Sequence, residues 1–160
     1  MICRFLIVAG ILASCAAWAR EAKVTASAKA PAATAGKPFY LTVTLEVAKG
    51  YHIGGADAGK NQIATTVKVT APEGFKVGAP LFPPSRDEKV FGEMQKILDG
   101  TVTVRIPVTP SKAGTQTLTA EVNYQACNDR LCDPPADVSA EATVKVAAAP
   151  KKPAPPKRHK

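Results

Sequence analysis

The stretch Phe39-Tyr-Leu-Thr-Val-Thr-Leu-Glu-Val47 places an apolar residue at every second position without a break. Successive side chains of a β-strand point to opposite faces, so this stretch predicts a strand with one apolar face. The same two-residue period, at full length or in shorter form, recurs at 24–28, 65–70, 75–77, 101–108, 115–124 and 138–146. Gly- and Pro-containing turn sequences separate these segments, as expected between consecutive strands.

About seven short strands, each with one apolar face, must bury that face against a second sheet. We therefore expect an all-β fold, an immunoglobulin-like antiparallel β-sandwich. One stretch disagrees with this pattern. Ser85-Arg-Asp-Glu88 matches a helix capping box, and the apolar residues from Val90 to Leu98 have helical spacing. One or two helical turns are therefore open here, although Gly92 weakens a helix.

The length and composition exclude several functional classes. A chain of 160 residues supports one domain, which we predict over residues 20–146. No phosphate-binding or dinucleotide-binding glycine motif is present. The chain has only two His and no acidic cluster, which leaves little material for a metal site. We expect no metal and no organic cofactor. His52 is interpreted as a strand-end or core histidine.

The N-terminus predicts export. Residues 1–19 combine Arg4, an apolar stretch and an Ala-x-Ala cleavage site at 17–19, as a signal peptide does. Residues 12–15 also resemble a bacterial lipobox, in which Cys15 would be lipidated. Soluble release and lipid anchoring both stay open, but either places the domain outside the cytoplasm.

The C-terminal segment 147–160 accounts for much of the basic charge. It holds five of the 21 Lys and Arg residues, no acidic residue and four of the 14 Pro residues. Such a composition cannot bury enough apolar surface to order itself, so we predict a disordered, extended tail. The tail could contact an anionic membrane or cell wall weakly. The folded part lacks the basic, aromatic-rich face of a nucleic-acid-binding protein, so no nucleic-acid partner is predicted.

Two cysteines carry the chemistry of the predicted domain. Cys127 and Cys132 lie in Tyr124-Gln-Ala-Cys-Asn-Asp-Arg-Leu-Cys-Asp-Pro-Pro135. An even pair in an exported domain first indicates a disulfide. If the two residues flank a turn on adjoining strand ends, their Cα atoms could approach to roughly 5.5 Å. A bridge across so short a loop stabilises little, yet it is well suited to attack by a thiolate. A structural bridge and a redox-active pair are both compatible with these residues.

The segment from Tyr124 to Pro135 resembles the active-site segment of the N-terminal periplasmic domain of the thiol:disulfide interchange protein DsbD. Gly50-Tyr-His-Ile53 is similar to another element of that family, and further strand and proline segments follow in the family's order. The resemblance covers roughly residues 23–146, and the cysteine segment is its specific part. It implies an immunoglobulin-like domain that relays electrons by thiol–disulfide exchange in the periplasm.

The resemblance also implies partners and site residues. The matching positions make Cys127 and Cys132 the exchanging pair, with Cys132 facing the partner and Tyr124 in support. The expected partners are a membrane electron-transfer protein, which would be a separate electron donor, and periplasmic thioredoxin-fold proteins. We predict a monomeric thiol:disulfide oxidoreductase; the alternative is a binding or scaffold module with a structural Cys127–Cys132 disulfide.

By the same resemblance, the loop from Asp87 to Gly92 falls where the family has a cap over the disulfide. Alignment on Gly92 puts Val90 at the cap position, with Phe91 beside it. Asp87 and Glu88 are expected near the thiols, where a carboxylate would raise a Cys pKa.

Overall fold

The structure, a computed structural model, describes residues 22–150, which form twelve strands and no helix. The predicted signal peptide, its Cys15 and residues 151–160 of the predicted tail lie outside the described residues. Within residues 22–150 no helix capable of spanning a membrane is found. In chain order the strands are β1 Val24–Lys29, β2 Ala33–Thr34, β3 Phe39–Val47, β4 His52–Gly54, β5 Thr66–Thr70, β6 Phe75–Val77, β7 Arg86–Val90, β8 Glu93–Leu98, β9 Thr101–Pro110, β10 Gly114–Tyr124, β11 Ala126–Cys127 and β12 Ala136–Ala147.

Three four-stranded sheets organise the described residues. The strand orders are β1-β3-β9-β6 in the first, β2-β12-β10-β5 in the second and β11-β4-β8-β7 in the third. All pairings are antiparallel except the short parallel one between β2 and β12. The first two sheets bury their apolar faces in one shared core. The immunoglobulin-like sandwich expected from the sequence is confirmed.

The two-residue period accounts for this core. Leu41, Val43 and Leu45 of β3 are fully buried, whereas the residues between them are more accessible. In the facing sheet, Leu118 of β10 is also fully buried and pairs with Ala142 of β12. Each long strand therefore contributes one face to the core, because alternate side chains of a strand point the same way.

The stretch predicted as a possible helix is a hairpin. Strands β7 and β8 pair antiparallel, with Arg86 opposite Ile97 at one end and Val90 opposite Glu93 at the other. The two residues between the strands, Phe91 and Gly92, make the turn. Both have positive φ, 49° and 89° respectively, as a type I′ hairpin turn requires. Pairing of β8 with β4 supplies long-range hydrogen bonds that override the local helical spacing, since a short isolated helix is marginal in water.

We predict that Leu118→Ala lowers the free energy of unfolding by about 2–5 kcal/mol, because it leaves a cavity between the sheets. Urea denaturation of the oxidised protein measures this loss. Glu121→Ala, on an exposed position of the same strand, is the matched control and should change stability by less than about 0.5 kcal/mol. Equal effects of the two substitutions would contradict the assigned core.

Candidate functional site

The two cysteines of the predicted domain form a disulfide. Cys127 ends β11 and pairs across a tight turn with Cys132, with 3.9 Å between their Cα atoms. A backbone hydrogen bond lies on either side of the cysteine pair. The Asn128 N–H donates to the Leu131 carbonyl at 2.9 Å, and the Asp133 N–H donates to the Ala126 carbonyl at 2.8 Å. The cysteines are therefore a non-hydrogen-bonded pair, the closer type of antiparallel pair.

The side chain of Asn128 holds the turn between the cysteines. Its Oδ1 accepts hydrogen bonds from the backbone N–H groups of Arg130 and Leu131, at 2.9 and 3.0 Å. An Asn side chain that satisfies the N–H groups two and three residues ahead fixes a turn locally. The turn therefore helps to bring Cys132 back beside Cys127.

The two sulfur-bearing residues differ in exposure. Cys127 is buried, with 7% of its surface accessible, whereas Cys132 is exposed. Leu131, directly before Cys132, leaves 50% of its surface in water. An incoming thiolate needs access to one sulfur along the line of the S–S bond, and Cys132 is the more accessible of the two residues.

The residues that follow Cys132 border a cleft. Asp133, Pro134 and Pro135 line it together with Lys23 and Tyr124, and its volume is about 240 Å³. Tyr124, the last residue of β10, is buried in the main core, and this burial raises the pKa of its phenol. Tyr124 thus anchors the strand end from which the cysteine segment departs.

His52 lies directly across from Cys127, since the two residues are partners in the β4–β11 pairing. The sequence motif drew attention to His52 but could not show this neighbour. His52 as a whole is 6% exposed, as expected of a strand-end or core histidine. Burial lowers the pKa of His52, the nearby Arg86 guanidinium lowers it further, and Asp129 and Asp99 oppose the shift.

The β7–β8 hairpin carries the predicted cap residues. Val90 is buried at 5% exposure, whereas Phe91 at the turn is 56% exposed. Asp87 forms a 2.8 Å ion pair with Lys96, and Glu88 pairs with Arg86.

The strand register sets the position of this hairpin relative to the disulfide. Ile53 of β4 pairs with Leu98 at one end of β8 and with Ala126, the neighbour of Cys127, on its other side. The turn at Gly92 lies at the opposite end of β8, about 20 Å away for an extended strand. Shielding of the disulfide by Val90 or Phe91 stays a prediction.

The arrangement is suited to sulfur chemistry. Residues 22–150 contain no group of three or more His, Cys, Asp or Glu side chains placed to hold a metal ion. An immunoglobulin-like sandwich that carries a disulfide across a short turn, with one sulfur-bearing residue buried and the other exposed, defines a class of small β-domains with an accessible disulfide.

Comparison with known families makes the assignment specific. The sequence model of the family described as "Thiol:disulfide interchange protein DsbD, N-terminal" matches residues 21–144. The match spans most of the chain and includes both cysteines, and the chain belongs to this family. The resemblance inferred from the sequence is thereby confirmed. A search of curated proteins found no match.

A solved structure of a bacterial periplasmic domain has a similar fold. The N-terminal periplasmic domain of ScsB from Proteus mirabilis is 17% identical, with a TM-score of 0.54; the alignment covers 74% of this chain and 44% of that one. The reduced DsbD N-terminal domain of Neisseria meningitidis is 20% identical over 72% of this chain and 80% of that one, with a TM-score of 0.47. This chain thus spans less than half of the ScsB chain, and at such identities the ScsB likeness concerns the fold alone.

We predict that the stability of the protein decreases as the pH falls below the ordinary His pKa of 6.5. The unfolded chain binds a proton on His52 near that pH, whereas the native protein binds it only at lower pH, because burial lowers the native pKa. The loss begins near pH 6.5 and ends once the pH is below the native value.

Urea unfolding at pH 7.5 and 5.5, compared between the wild type and His52→Phe, isolates this contribution. Carboxylates titrate in both proteins, whereas His52 titrates only in the wild type. The wild type should therefore lose more stability than the variant between pH 7.5 and pH 5.5. The same loss in both would show that His52 titrates alike in the native and unfolded states.

Proposed function

We propose that this domain is an exported thiol:disulfide interchange module in which Cys127 and Cys132 cycle between dithiol and disulfide. The proposal rests on one observation above all. The cysteine pair of a DsbD N-terminal family member closes a short turn with one residue exposed and the other buried. This asymmetry gives each sulfur a distinct role in exchange.

In the reducing direction, the thiolate of Cys132 attacks a disulfide of the partner protein. One partner sulfur leaves as a thiolate, and a mixed disulfide joins Cys132 to the other partner sulfur. The thiolate of Cys127 then attacks the sulfur of Cys132, which forms the Cys127–Cys132 disulfide and releases the second partner thiolate. Two electrons pass to the partner, and the reverse sequence reduces the domain again.

A purely structural role fits the geometry less well. The stabilisation that a disulfide provides grows with the length of the loop that it closes. The sequence separation here is 5, so the contribution is below the roughly 3 kcal/mol of a 15-residue loop. The shared core of the two large sheets does not include either cysteine. A bridge that stabilises so little and has an exposed end is better suited to exchange.

The surface near Cys132 suits contact with a protein partner. Leu131, which is half exposed, directly precedes Cys132 in the chain. Asp133, which lines the cleft, directly follows it. We infer that thioredoxin-fold proteins are the exchange partners and that a membrane electron-transfer protein supplies the electrons.

We place the domain, residues 20–146, in the periplasm after export through the signal peptide, released or held by a lipid on Cys15. The cysteine pair needs no metal or organic cofactor for this chemistry.

We predict that Cys127→Ser traps a mixed disulfide and Cys132→Ser does not, because only Cys132 is exposed. Each reduced variant is mixed with a thioredoxin whose single active-site cysteine carries a thionitrobenzoate group. Non-reducing electrophoresis then measures the covalent adduct. Cys127→Ser should convert most of the protein to adduct, and Cys132→Ser only a small fraction.

The double variant, with both cysteines changed to Ser, is the control for unspecific coupling. Adduct in neither single variant would show that the bridge is structural and would refute the proposed function. Equal adduct in both would refute the assignment of Cys132 as the partner-facing sulfur.

A further inference from the structure

The burial of Cys127 creates a requirement that the exchange reaction must meet. To resolve a mixed disulfide at Cys132, Cys127 must act as a thiolate, since the thiol is a poor nucleophile. Burial disfavours the charged thiolate and raises a thiol pKa. Cys132, being exposed, can lose its proton to water. Cys127 needs a proton acceptor close by.

His52 occupies the position from which it can serve Cys127. The two residues are direct partners in the pairing of β4 with β11, so their side chains share one face of the third sheet. The Cβ atoms of such a pair are about 4.5–5.5 Å apart. An imidazole ring and a thiol extend far enough to meet across this distance.

The imidazole has an unused nitrogen in the oxidised domain. Nε2 of His52 is buried and lacks a hydrogen-bond partner. A buried polar atom without a partner is costly, so its presence calls for an explanation. Reduction of the disulfide creates a thiol on Cys127, and a thiol is a hydrogen-bond donor. The dithiol state thereby supplies the missing partner.

The charges around His52 fit a proton acceptor that starts neutral. Arg86 on β7 opposes protonation, and burial of the ring does so more strongly. At neutral pH the ring is therefore neutral and has one nitrogen free to accept a proton. Asp99, after β8, and Asp129, in the cysteine turn, favour the imidazolium. They stabilise the positive charge once the proton has moved.

From this placement we propose that His52 accepts the proton of the Cys127 thiol during resolution of the mixed disulfide. The inference rests on the proposed function. The S–H bond of Cys127 breaks and the proton passes to the imidazole. The Cys127 thiolate forms the bond to the Cys132 sulfur, and the partner sulfur leaves with the electron pair of the broken S–S bond. The departing thiolate recovers the proton from His52, directly or through water.

Release of thionitrobenzoate separates the two steps. The reduced protein is mixed with dithiobis(nitrobenzoate) in a stopped-flow instrument from pH 6 to pH 9. The first equivalent released reports attack by Cys132, and the second reports resolution by Cys127. In the wild type, the second rate should change little between pH 6.5 and pH 8.5, because the proton acceptor is already neutral.

His52→Phe keeps a planar ring of similar size and removes the nitrogen atoms, whereas His52→Gln keeps polar atoms but accepts no proton near neutral pH. Both should slow the second release at pH 6.5 by about 100-fold, within the usual range for the loss of a general base. Both rates should then rise about tenfold per pH unit, as the fraction of thiolate does. The first release should be unchanged.

Thr65→Val is the matched control, because it removes another buried atom without a partner, the Thr65 hydroxyl, from a residue that is not paired with a cysteine. It should follow the wild-type profile. The same pH profile in His52→Gln and the wild type would overturn the role of His52 and leave the proposed function intact. A wild type that releases no thionitrobenzoate would overturn the proposed function itself.

Discussion

The shared core between the two large sheets is the constraint on which the cysteine site depends. Strand β10 contributes alternate residues to that core from Leu118 to its last residue, Tyr124. The cysteine segment starts directly after this anchor and pairs with β4, whose Ile53 also belongs to the core. The buried half of the disulfide is therefore held by the rigid body of the sandwich, while the half with Cys132 extends from it on a turn that an Asn side chain maintains.

The strands with an alternating pattern could be predicted because that pattern is local. Phe39–Val47 and Phe75–Val77 have the bounds that alternation predicts, and β9, β10 and β12 differ from prediction only at their ends. The sequence left one or two helical turns open over 85–98, and the structure has a hairpin there, because a pair of positive-φ turn residues and pairing with β4 determine that segment. Strands β2 and β11 have two residues each, and the three residues of β4 are all buried, so none of them shows a two-residue period; all three form through partners distant in sequence.

The candidate site was predictable in part for the same reason. The cysteine pair is close in sequence, and its spacing and flanking residues were enough to identify the family. The apposition of His52 and Cys127 was not, because it follows from the register of two short strands. The family resemblance already implied that Cys132 faces the partner, and the structure adds that Cys127 is buried whereas Cys132 is exposed. The short loop that the bridge closes and the exposure of Cys132 favour exchange over a structural bridge.

The reduction potential of the Cys127–Cys132 pair tests the exchange function most directly. The purified protein would be equilibrated in buffers of defined thiol and disulfide ratio, and the free thiols trapped and counted. Exchange predicts a value between about −180 and −270 mV, the range of known thiol–disulfide exchange proteins. A value well below about −300 mV would mark a structural disulfide that partner proteins cannot reduce, and would contradict the account.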